Sequence, residues 1–382
     1  MQKNIPDRPR LLIVSDTAIA KTASGEIVGF EPVVREIENF SYLFSKITWI
    51  GYDYSYENSR RNMRSPSGVE IEYIFLPRTG GRTLWKKFEV LINMFPIMLR
   101  VYSEIKKHDV IHSRAPSMPA FWAIVVSLFD AQRTFWHKYA GSWVDNDAAP
   151  FYKLQRFLLK YAKKSCVTIN GKWPNQEEHI LSFENPCLTD REYAQATDSI
   201  SKKTFSGKFE FCFIGNLNDA KGVGKIIKAL NGLKNDRIGT IHFIGDGEKR
   251  SEYENAIRYF NARFYGFLPR KDIEALLPNM HFLLLPSDSE GFPKVVAEAS
   301  AYGVIPVVSS VSSIPQYIKD GENGFLLQDN TVLDLKEKIE EILIIDEDIL
   351  RKISLNTSEL AKIFTYNHYN KKIQTKILEK HE

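Results

Sequence analysis

One rhythm recurs along this chain and narrows what it can fold into. A short apolar run ends in a turn, an amphipathic stretch with a period near 3.6 follows, and the pattern begins again. Strands that alternate with helices in this way build parallel sheets with helical crossovers. In the first half the strand-like runs are RLLIVSD (10–16), KITWIGYD (46–53), VEIEYIFLP (69–77), DVIHSR (109–114), RTFWHKYA (133–140) and SCVTING (165–171). A loop, TAIAKTASGEIVGFEP, follows the first run, and helical stretches are expected over 32–44, 83–107, 118–129 and 150–163. The second half starts afresh with FEFCFIG (209–215), TIHFIGDG (240–247), ARFYGFL (262–268), HFLLLPSD (281–288), VIPVVSS (304–310) and GFLL (324–327), and its tail, 332–380, is almost wholly helical. The polar segment 185–205 reads as the linker between two doubly wound, Rossmann-like α/β domains. Ligands of such sheets bind at the carboxyl ends of the strands, so two facing domains make a cleft.

Size and charge agree with this. The 382 residues suffice for two domains. The net charge of +4 is too small for a dedicated nucleic-acid binder. The apolar run 11–14 is too short for a signal peptide, and no segment has the length of a membrane span, so a cytoplasmic protein is expected. Three cysteines, Cys166, Cys187 and Cys212, lack metal-ligand spacing and read as buried small residues.

The strongest local signal is SEGFPKVVAEASAYGVIPVVSS (289–310). A buried strand ends in a turn bearing Glu290 and Gly291, and Pro293 suits the first turn of the helix that follows. Free N–H groups in the stretch from Phe292 to Val295, those of Phe292, Lys294 and Val295, would form an anion site at that helix start. Glu290 and Glu298 can project toward one ligand, and carboxylates suit sugar and ribose hydroxyls because they accept paired hydrogen bonds. Glu298 alone could be a solvated surface residue, but its neighbours Val295, Val296, Ala297, Ala299 and Ala301 describe a buried helix. GDG (245–247) lacks the third glycine of a dinucleotide fingerprint and reads as a tight turn.

These motifs resemble the family-4, or group 1, glycosyltransferases. Glu290, Gly291, Phe292 and Glu298 match that family's Glu, seven residues, Glu signature, and FIGDGEKR, FYGFLPRKDIEALL and SSIPQYIKDGENGFLL resemble its other conserved stretches in order and spacing. The resemblance covers about 209–327. It implies a GT-B fold with an acceptor-binding domain over 1–188, a nucleotide-sugar domain over 189–364 and a closing helix over 365–382 that returns to the first domain.

The resemblance also implies roles. Glu298 would hold the donor ribose, and Glu290 with the backbone of Gly291, Phe292 and Pro293 the donor sugar. Amides near Lys294 and Val295 would take the phosphates, with Gly215 and Gly245 lying close to the nucleotide. Lys221, in GNLNDAKG, would neutralise the diphosphate as it leaves. The family usually carries Arg where this chain has Asn216, which leaves Lys221 as the main cation on the diphosphate, helped by Lys225 or Lys294. In the first half, Gly25 and Gly29 match the glycine loop that approaches the diphosphate, and His137 lies near the family's sugar-side histidine, with His112 as its rival. Arg114, Lys138 and Asp145 are further candidates for acceptor contact.

The implied activity is retaining transfer of a hexosyl unit from a UDP- or GDP-sugar to a glycan or lipid-linked acceptor, in cell-surface polysaccharide synthesis, without metal or cofactor. The basic and apolar stretch 84–107, with Arg78, Arg82, Lys86 and Lys87 nearby, suits either a core-packing helix with a solvated basic end or peripheral contact with the inner face of a membrane, as the resemblance implies for lipid-linked acceptors. A sugar-nucleotide epimerase of the same fold, and a non-catalytic glycan-binding or scaffold subunit, are the alternatives.

Overall fold

The structure is a computed structural model that describes residues 8–54, 63–79, 84–144 and 148–379. The chain divides into two compact units: residues up to Phe183 together with those from Tyr369 onward, and Glu184–His368 between them.

The first unit contains β1 (Arg10–Lys21), β2 (Ile27–Phe30), α1 (Glu31–Phe40), β3 (Lys46–Asp53), β4 (Met63–Arg64), β5 (Ile71–Leu76), α2 (Leu84–Ile105), β6 (Val110–Ala115), α3 (Met118–Ser127), β7 (Thr134–Tyr139), α4 (Pro150–Tyr161), β8 (Cys166–Ile169) and β9 (Ile180–Ser182). Its parallel strands run in the order β5-β3-β1-β6-β7-β8-β9. The rhythm of apolar runs places these strands within a few residues, because each is buried on both faces by helices.

Two things differ from the expected outline. β1 does not stop at Asp16; it bends and runs on to Lys21, then pairs antiparallel with β2, and β2 with β4. The expected loop is therefore largely a hairpin, turned at Thr22–Gly25, where Gly25 N–H bonds to Thr22 O at 2.9 Å. β9 is short and has no apolar run to announce it.

The second unit contains α5 (Asp190–Asp198), β10 (Phe209–Ile214), α6 (Val223–Asn231), β11 (Ile238–Ile244), α7 (Arg250–Ala256), β12 (Asn261–Gly266), α8 (Arg270–Leu276), β13 (Phe282–Leu285), α9 (Lys294–Ala301), β14 (Ile305–Ser309), α10 (Ile314–Tyr317), β15 (Phe325–Leu327), α11 (Val332–Ile344) and α12 (Glu347–Ala361). The order β12-β11-β10-β13-β14-β15, all parallel, is the 3-2-1-4-5-6 arrangement of a Rossmann fold. Residues 185–205, expected as a linker, belong to this unit and include α5. Thr189 and Glu192 close its start as a capping box, and Phe205 is fully buried. The three cysteines are buried, as the sequence suggests. Among the described residues no helix is long and apolar enough to cross a membrane.

A last helix, α13 (Tyr366–Ile373), continues to Leu378 as a wider π-type turn. From Tyr369 onward it packs into the first unit, where Tyr369, Ile373 and Ile377 fill the core beneath α1 beside Phe40 and Trp136.

Gly29 belongs to that same core layer. A Cβ there would sit 2.7 Å from the Trp49 ring and 3.0 Å from Val34. Gly29→Ala is expected to lower unfolding stability by about 1–3 kcal/mol, the usual cost of overpacking, in a denaturant titration.

Candidate functional site

In the second unit β10 and β13 lie side by side, yet their crossovers leave in opposite directions. That switch point is where such a sheet opens a crevice at its carboxyl edge. The loops leaving β10 and β11 interlock there. Leu217 N–H bonds to Asp246 O at 3.0 Å, and Gly245, at φ +135°, passes so close to the Gly215 carbonyl that any Cβ would collide with it.

After Gly215 and Asn216, a short turn at Asp219–Lys221 is capped by Asn218, whose side chain accepts from Lys221 N–H at 2.9 Å. Asp288 N–H bonds to Ala220 O at 2.8 Å and ties this turn to the loop leaving β13. Two ion pairs result: Lys221 with Glu290, and Lys225 with Asp288 at 2.5 Å. Sequence reasoning brought Lys221 and Glu290 to one ligand; the structure brings them into direct contact. It also adds Asp288, a strand-end acid that nothing in the sequence pattern singles out.

The loop from Glu290 to Pro293 is held from behind. Ser313 donates to Gly291 O at 2.9 Å, while the Phe292 ring stacks on Phe364 at 4.5 Å and meets Tyr317 at 4.8 Å. Phe292 thus contributes backbone to the site and anchors the loop with its side chain. α9 begins beyond Pro293 with no side-chain cap, so the Lys294 and Val295 amides stand at a helix start whose N–H groups the helix cannot use itself.

Glu298 is not a solvated residue. Its carboxylate pairs with Arg270 of α8, and Arg270 also meets Glu274 at 2.7 Å, Glu192 at 3.5 Å and the Cys187 carbonyl at 3.1 Å. Burial works against the Arg270 charge, but Glu298, Glu192 and Glu274 outweigh it and push its pKa up. Arg270 went unnoticed in the sequence because its partners lie up to 83 residues away.

In the first unit the candidates separate. Gly25 is the exposed tip of the β1–β2 turn, and Gly29 is buried against Trp49, so packing accounts for its lack of a side chain. His137 must be corrected. It was expected beside the reacting sugar, yet its ring is fully buried. Nδ1 lies 2.7 Å from Ser113 Oγ and Nε2 3.0 Å from Ser127 Oγ, and burial brings its pKa down to about 3. Its rival His112 is equally buried and stacks on Trp136 at 3.7 Å. Arg114 and Lys138 converge instead on the buried carboxylate of Glu36 in α1, at 2.9 and 2.8 Å, and Tyr369 OH approaches it at 3.3 Å. Asp145, Arg82 and the side chains of Lys86 and Lys87 lie outside the described residues.

A family match accords with this site. Residues 195–359 match the family model of the glycosyl transferases group 1. An uncharacterized glycosyltransferase of Methanocaldococcus jannaschii is 32% identical over 164 residues, 42% of this chain and 45% of the relative. A putative colanic acid biosynthesis glycosyltransferase, WcaL of Salmonella typhimurium, is 29% identical over 177 residues, 43% of each. The chain thus spans less than half the length of either relative. Over the whole chain the fold is GT-B: the Anabaena protein HepE, solved with UDP and glucose, aligns with a TM-score of 0.66 at 14% identity, over 97% of this chain and 100% of that one.

Two measurements follow. Neutral His137 must gain a proton on unfolding below about pH 6.5, so stability is full above that pH and erodes as pH falls toward 3. At pH 5 the loss is on the order of 2 kcal/mol. Unfolding free energies at pH 7 and pH 5 should therefore differ less in His137→Gln than in the unaltered protein. Removing Arg270 leaves three carboxylates facing one another, and Arg270→Met should cost about 3 kcal/mol in a denaturant titration, partly recovered when Glu274→Gln is added.

Proposed function

We propose that this protein is an enzyme that transfers a hexosyl unit, with retention at the anomeric carbon, from a UDP- or GDP-sugar to a glycan or lipid-linked acceptor in cell-surface polysaccharide synthesis. The observation that carries the reading is the Lys221–Glu290 pair at the β10/β13 switch point, beside the uncapped start of α9. A nucleoside diphosphate has two needs there: hydrogen-bond donors for its oxygens, and a cation to take up charge as it departs. The α9 amides and Lys221 answer them.

Without ligand, Glu290 neutralises Lys221. An incoming diphosphate takes Lys221 as its counter-ion and frees Glu290 to accept hydrogen bonds from the donor sugar. Glu298, oriented by Arg270, accepts from the two ribose hydroxyls. The acid at the leaving group is thus replaced by a fixed ammonium, and no protein nucleophile or metal is part of the proposal. Two relatives support the substrates by their names: the Anabaena protein was solved with UDP-glucose, and the Salmonella protein is assigned to colanic acid biosynthesis.

The test begins with thermal unfolding in UDP, GDP, ADP and CMP and their sugar conjugates. One nucleotide class should stabilise selectively, by about 2.7 kcal/mol at a hundredfold excess over its dissociation constant. With that donor, Lys221→Ala and Glu298→Ala should each lower transfer more than tenfold. Near-normal turnover in both would refute the site, an inverted anomeric configuration would refute retention, and an altered nucleotide sugar formed without acceptor would favour the epimerase.

A further inference from the structure

Two ion pairs join the loop after β10 to the loop after β13, and the site as read above uses only one of them. Lys221 meets Glu290, and Lys225, in the first turn of α6, meets Asp288 at 2.5 Å. The two acids stand two residues apart, a chain span of no more than about 7 Å. The four-carbon stem of Lys225 therefore brings its ammonium within reach of an anion that engages Lys221. A diphosphate at the start of α9 would meet both cations if both were free.

The two lysines are not held alike. Lys225 also approaches the Pro286 carbonyl at 3.4 Å, and Asp288 is itself fixed. Its N–H bonds to Ala220 O at 2.8 Å. Asn330, in the left-handed region at φ +51°, donates from Nδ2 to Ser287 O at 3.1 Å and to Asp288 Oδ1 at 3.4 Å. The consequences of opening the pairs differ too. When Lys221 leaves Glu290, that carboxylate receives the hydroxyls of the donor sugar in exchange. Asp288 has no such substitute. If Lys225 left it, an unpaired carboxylate would face the phosphates, and like charges that close repel.

We propose that Asp288 is a positioning residue that keeps Lys225 off the diphosphate and so sets how tightly the departing nucleotide is held. Pairing cancels the second ammonium where it stands, and the diphosphate is left to Lys221 and the α9 amides. The leaving group is then stabilised during transfer without being retained afterwards, which matters because product release limits many enzymes. This role rests on the reading of Lys221 as the cation on the diphosphate, and it removes Lys225 from the helpers expected of Lys221.

The test is calorimetric titration of the full chain with whichever of UDP, GDP and ADP stabilises it, and with the parent nucleoside. Asp288→Asn should tighten diphosphate binding more than about fivefold, leave nucleoside binding unchanged, and lose much of its gain at high salt. Lys225→Met with Asp288→Asn removes a neutral pair as a whole, and its affinity should fall back to within about twofold of the unaltered chain. The Asp288 side chain is 57% exposed, so the unfolding midpoint should hold in Asp288→Asn. Unchanged or weaker diphosphate binding in Asp288→Asn would show that Asp288 only braces the two loops. A double variant as tight as Asp288→Asn would show that the gain is lost repulsion alone, and one as weak as Lys221→Ala that Lys225 already serves the diphosphate. Each of these overturns the proposal while the site stands. If no nucleoside diphosphate binds, or Lys221→Ala binds it as well as the unaltered chain, the site itself is refuted and this role with it.

Discussion

A single carboxylate holds the first unit together across the whole length of its sequence. Glu36 of α1 is 1% exposed and is met by Arg114 from β6, Lys138 from β7 and Tyr369 from the final helix. A charge that deep is tolerable only while its partners stay in place. The two central strands must therefore keep their register, and the last helix must lie where Tyr369 reaches. Asn370 adds a bond to the Asn39 carbonyl at 2.8 Å, and Ile373 and Ile377 complete the apolar layer. The crevice edge of this unit, formed where β6 and β7 end, is thus built on an ion cluster rather than on apolar packing alone.

The second unit uses charge differently. Its buried core is apolar and rich in phenylalanine, and the ionic contacts gather at the carboxyl edge of the sheet. Lys221–Glu290 and Arg270–Glu298 both engage a carboxylate suited to a hydroxyl-rich ligand, but they differ in surroundings. Lys221 meets a single acid among the described residues and can exchange it for a phosphate, whereas Arg270 is surrounded by three and is fixed. One pair is built to switch partners and the other to stay.

Much of this was legible in the sequence, for identifiable reasons. Strands buried on both faces are mostly apolar, so β3, β10 and β14 could be read directly. The Glu290–Glu298 segment was legible because a strand end, a turn and a helix start follow one another within a few residues. Contacts between distant segments were not: Arg270 with Glu298, and Glu36 with Lys138 and Tyr369, depend on how the sheets are ordered. His137 was misplaced because a histidine at a strand end looks the same whether it faces a crevice or a core, and Ser113 and Ser127, which satisfy it, lie 24 and 10 residues away. The α5 start was readable, since Thr189 and Glu192 have capping-box spacing, but the polar composition around them concealed it.

The division of the chain has a consequence for its synthesis. The second unit is one unbroken run, Glu184–His368, whereas the first is split and needs residues from Tyr369 onward. As the polypeptide leaves the ribosome from its amino end, the earlier segment must wait, with the apolar floor beneath α1 open, until the later one has emerged. The unit begun first is therefore the one finished last, and its uncovered surface is the part of the nascent chain that most depends on protection from premature association.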